Sequence, residues 1–65
     1  MTNSERLIIF DVTEIDDVYD ITTKDSRALG YECRGLPFTE VFRTMHDMYK
    51  WLHNRVGLDV VFAFE

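Results

Sequence analysis

The chain has a single cysteine, a single proline and three glycines in 65 residues. One cysteine, Cys33, excludes an intramolecular disulfide and any zinc site built from several thiolates, and it suits a reducing compartment. Few glycines and one proline exclude a low-complexity or linker-like chain. No apolar run approaches the length needed to span a bilayer. The run Leu7–Phe10 behind Arg6 is too short for the core of a signal peptide, so a cytoplasmic location is expected. Positive charge is also scarce. Seven Lys and Arg stand against 12 Asp and Glu, a formal net charge of -5. An acidic excess is repelled by nucleic acid and by anionic membranes, so neither is expected as a ligand.

What is present is a folding composition, 46% hydrophobic and 14% aromatic. The length allows one domain, residues 1–65, with residues 1–5 polar and loose. A core this small usually needs a staple, and with disulfide and metal excluded the remaining one is a second copy. A homodimer is therefore expected.

Residues 7–13 are β-branched and aromatic enough for a strand, and Val18–Thr23 for a second, joined by an acidic turn over Glu14–Asp17. Val12, Ile15 and Tyr19 also have helical spacing, so a short helix over 11–21 competes; the high content of Val, Ile and Thr favours strands. Lys24–Arg27 read as a polar turn. Leu29, Tyr31 and Cys33 alternate with Gly30, Glu32 and Arg34 as a third strand, and Gly35 and Pro37 punctuate it. Thr39 is placed to cap a helix, with Glu40 in its first turn. Val41, Phe42, Met45, Met48, Tyr49 and Leu52 recur at three- and four-residue spacing, a core stripe. Gly57 is placed to end the helix in the left-handed conformation. Leu58–Glu65 alternates as a last strand. The expected fold is α+β: a small antiparallel sheet of three or four strands in β(β)βαβ order, with one helix packed on it.

Charge is the most informative pattern. Asp11, Glu14, Asp16, Asp17 and Asp20 lie within ten residues with no base among them. The other seven acids equal the seven bases, so the whole net charge resides in this segment. Three readings suit it. It is a solvated loop, a calcium site lacking the usual loop spacing, or a negative patch aimed at a basic protein surface. Carboxylates at alternate strand positions lie ~6.6 Å apart, about twice the ~3.4 Å axial charge spacing of one DNA strand. Such a strand presents charge to a DNA-binding cleft somewhat as DNA does.

Other candidates are weaker. His46 and His53 lie on one flank of the helical stripe without a third ligand. Cys33 lacks any recognisable base or oxyanion hole, so no catalysis, cofactor or metal is expected. Trp51 falls outside the stripe, at an interface or under a wrapping sheet.

Three segments in order carry a resemblance: Tyr19-Asp20-Ile21-Thr22, Tyr31-Glu32-Cys33-Arg34-Gly35-Leu36, and a helix opening Thr39-Glu40-Val41-Phe42. Together they resemble the small, dimeric, phage-encoded inhibitors of uracil-DNA glycosylase, which mimic DNA. The resemblance covers Val18–Phe42. It implies a homodimer that occupies the glycosylase's DNA-binding cleft in the host cytoplasm. Helices of the dimer would form an apolar pocket for the side chain that the enzyme wedges into the duplex. On matching positions Glu32 is an acidic contact and Phe42, or Val41 with a one-residue shift, the pocket residue. Met45 or His46 stands where the family has a later pocket tyrosine. Asp16, Asp17 and Asp20 of the acidic segment complete the expected partner-binding set. The alternatives are a DNA mimic aimed at a restriction or CRISPR nuclease, or a structural adaptor with a merely solvated acidic loop.

Overall fold

The computed structural model describes residues 7–65. The expected loose segment, residues 1–5, lies outside them. Strand β1 is Leu7–Ile15, β2 is Val18–Thr22, β3 is Cys33–Pro37 and β4 is Asp59–Phe64, while helix α1 is Phe38–Trp51. They form one four-stranded sheet in the order β3-β2-β1-β4 with α1 packed on one face. The α+β class and the single helix are as expected. The pairing corrects one detail. β1 and β2, and β2 and β3, are antiparallel, but β4 lies parallel to β1, so the sheet is mixed. The cause is topological: α1 returns the chain to the end of the sheet where β1 starts, so β4 leaves in the same direction as β1.

Strand alternation sorts the side chains. Ile8, Phe10 and Val12 of β1 and Ile21 of β2 face α1 and are buried, while Ile9 and Ile15 face the other way and are half exposed. α1 contributes Val41, Met45 and Met48, and Leu52 follows at the same spacing. Phe10 and Phe62 stack between β1 and β4 with centroids 5.7 Å apart. Among the described residues no polar or charged side chain is buried in the core. Burial of each large side chain contributes about 1.5–3 kcal/mol, so this short roll of residues carries the fold.

The stretch expected as a strand from Leu29 differs. Asp25 accepts a hydrogen bond from the Arg27 backbone N–H at 2.9 Å and caps a 3₁₀ turn, Ser26–Ala28. Leu29 then takes a left-handed φ of 55° and is 72% exposed. Tight turn bonds from Tyr31 to Ala28 and from Glu32 to Gly30 delay the strand to Cys33. The Arg27 guanidinium donates to both Asp25 oxygens and to the Leu7 carbonyl at 2.9 Å, clamping this loop onto β1.

α1 starts one residue before Thr39, directly from the extended Pro37, and no side chain caps it. Glu40 in the first turn pairs with Arg43, which also reaches Asp47 at 3.2 Å. The helix widens into a π-helical turn, Leu52–Val56, and ends at Gly57 with φ 79°, the expected left-handed stop. No helix among the described residues is long and apolar enough to cross a membrane.

Candidate functional site

The acidic segment folds as a hairpin. Ile15 pairs with Val18, so the loop between β1 and β2 is only Asp16-Asp17. Both have positive φ, 51° and 67°. That is the mirror-image turn whose twist suits a two-residue hairpin, and the competing helix over 11–21 is excluded. The turn prefers glycine at its second position; Asp17 holds it at a cost of about 1 kcal/mol. Asp16, Asp17 and the neighbouring Glu14 are exposed, and among the described residues none of the three makes an ion pair. The tip therefore carries three uncompensated carboxylates.

An aromatic surface adjoins it. Pro37 pairs with Val18, so β3 passes the chain into α1 at the same end of the sheet as the tip. Tyr19 lies opposite Glu14 on the helix-bearing face, and its ring meets Phe38 at 5.8 Å. Phe38 in turn meets Phe42 edge-on at 6.0 Å. Phe38 and Phe42 are 55% and 59% exposed. At ~100° per residue Phe38, Phe42, His46, Tyr49 and His53 fall in a sector ~80° wide, a ridge along one flank of the helix. Tyr49 and His53 stack at 5.3 Å, and His53 Nδ1 lies 3.1 Å from the Asp59 carboxylate of β4. The opposite flank forms a shallow groove with Tyr31 and Cys33 at the β3 side, so the ridge overhangs the β4 side of the sheet.

The expected partner-binding residues do not form one cluster. Asp16 and Asp17 are at the tip, and Phe42 and His46 are exposed on the ridge. Val41 and Met45 are core residues, 1% and 8% exposed, and present nothing to a partner; the sheet covers that side of the helix and leaves the Phe42 side open. The expectation that Val41 could line a partner pocket is corrected, because the sheet buries it, whereas Phe42 is exposed. Asp20 is turned to the opposite face, where it accepts the Gly35 N–H at 2.7 Å and stands 3.7 Å from Arg34. It pins the irregularity between β2 and β3, a structural task. Glu32 is exposed at the far end of β3, five strand residues or ~17 Å from the tip.

The sequence reading placed Glu14 in the acidic segment and Tyr19 in a resembling one without assigning either to the partner-binding set, and it passed over Phe38. The signal for Phe38 was available, because it precedes Phe42 by four residues and so shares its helix flank. Asp11 and Asp20 point to one face of the sheet and Glu14 to the other, so these three carboxylates do not converge on a common point. Burial pushes the Cys33 thiol up, which favours the unreactive neutral form. Trp51 packs on Tyr31 at 5.0 Å with about a third of its surface open, which places it over the β3-side loop. No family model, curated protein or solved structure matches the chain.

Proposed function

We propose that the chain is a protein inhibitor that mimics DNA, occupying the basic DNA-binding cleft of uracil-DNA glycosylase as a homodimer in the host cytoplasm. The observation that carries this reading is the juxtaposition of three unpaired carboxylates, Glu14, Asp16 and Asp17, with the exposed rings of Phe38 and Phe42. Carboxylates replace phosphates at a cationic cleft and steer a fast, salt-sensitive association. The adjoining rings offer apolar cover to a wedge side chain that must otherwise enter the duplex as uracil is flipped out. Loss of DNA access is sufficient for inhibition, so the inhibitor performs no chemistry. The resemblance names the target, and its segments border this surface: Tyr19 and Phe42 belong to them and to the aromatic cluster alike.

Titration of the chain against the glycosylase on a uracil-containing duplex tests the proposal. Excision should cease near a stoichiometric ratio. Full activity under a large excess of the chain would overturn it. The triple variant Glu14→Gln, Asp16→Asn, Asp17→Asn should weaken inhibition at least about tenfold at low salt and flatten its salt dependence. An unchanged salt dependence would mean that the tip is only solvated.

A further inference from the structure

We infer that the outer edge of β4 is the surface at which two copies of this chain join, antiparallel about a two-fold axis through Val61. β4 ends the sheet order, and among the described residues no backbone group pairs with its outer side. The Glu65 N–H donates to the Val12 carbonyl, so odd-numbered residues of β4 direct their amides to β1. The N–H and C=O groups of Val60, Phe62 and Phe64 therefore face outward. Exposed edges are normally guarded by lysine, proline or a bulge. β4, Asp-Val-Val-Phe-Ala-Phe, has none of these, and its one charge, Asp59, stands at its first residue. It leaves Val61 46% exposed on one face and Phe64 58% exposed on the other.

A two-fold axis makes the pairing antiparallel, because each strand must meet the same residues that it presents. The sheet faces remain aligned only if like-facing residues oppose each other. Two registers then use most of the strand. One sets Phe62 against itself and Asp59 against the partner copy's Glu65, a like-charge clash. The other sets Val61 against itself, Val60 against Phe62, Asp59 against Ala63 and Leu58 against Phe64. The second opposes no two acids, pairs the outward amides of Val60 and Phe62, and covers both exposed apolar side chains of β4 at once. It makes one continuous eight-stranded sheet from two four-stranded ones. The aromatic ridges, which overhang the β4 side, then flank the axis on the helix-bearing face. The interface does not depend on the proposed target, and a failure of inhibition would leave it standing.

Sedimentation of the full chain at micromolar concentration should show a dimer. Val61→Lys changes an exposed side chain at the axis and should weaken dimerisation by about 100-fold while the far-ultraviolet spectrum is kept. Should that variant unfold, cysteine pairs decide. Residues facing across the axis at a non-hydrogen-bonded pair lie ~4.5 Å apart at Cα, within disulfide reach. In a Cys33→Ser background, Val61→Cys should cross-link fully on mild oxidation and Ala63→Cys should not. A chain that stays monomeric, a dimer in which Val61→Cys fails to cross-link, or preferential linking at Ala63 would each overturn the inference.

Discussion

Single side chains fix the joints of this small fold. Asp25 and Arg27 are the clearest case. The Arg27 guanidinium, and then its backbone N–H, hold the Asp25 carboxyl well below its ordinary value of 3.8, at about 2. A carboxylate with a depressed folded pKa stabilises the fold above its unfolded pKa and loses that contribution as pH falls. The window here runs from about pH 4 down to about pH 2. Asp25→Asn should remove this part of the acid sensitivity and lower the melting temperature at neutral pH, because the loop clamp onto the Leu7 carbonyl is loosened. Thermal melts at several pH values would check it: wild type should lose stability between pH 4 and pH 2 more steeply than the variant. Asp20 serves a similar joint at the β2–β3 irregularity, which is why this residue of the acidic segment stands apart from the exposed carboxylates of the tip.

At the scale of elements, the β1–β2 turn combines strain with charge. Asp17 occupies a left-handed position that glycine fills without strain. Asp17→Gly should therefore stabilise the chain by up to about 1 kcal/mol in urea denaturation at fixed protein concentration, while reducing affinity for a basic partner. Equal or lower stability would show that the turn is relaxed with aspartate. Local patterns announced most elements. The alternation of the hairpin, the Val41–Leu52 stripe, the Gly57 stop and the last strand were all legible, because each depends on residues close in the chain. Three features were not. The parallel β1–β4 pairing depends on where α1 delivers the chain. The late start of β3 depends on the Asp25–Arg27 clamp outcompeting an apparent alternation at Leu29. Exposure of Phe42 and Tyr49 depends on the width of the sheet beneath the helix, which periodicity does not encode. The charged half of the candidate site was visible as composition; periodicity showed the aromatic half only as core, and the resemblance alone set Phe42 apart from it.

For the whole molecule, a short core and an unguarded edge make stability a collective property. If the folded state is completed by a second copy, its melting temperature rises with protein concentration, because mass action favours the associated form. Melts over a hundredfold concentration range should show that rise, and Val61→Lys should abolish it.

The β1–β4 pairing also sets the pace of folding. β1 meets β2 across a two-residue turn but meets β4 in the register Leu7 to Asp59, fifty-two positions along the chain. Closing so long a loop forfeits entropy before any contact returns it, so the hairpin is the quick local event and docking of β4 the slow one. Between the two events one side of Ile8, Phe10 and Val12 lacks its final cover, and their strand stands at an open edge of the nascent sheet. The same central strand that organises the finished sheet is thus the segment most exposed to aggregation while the chain is still folding.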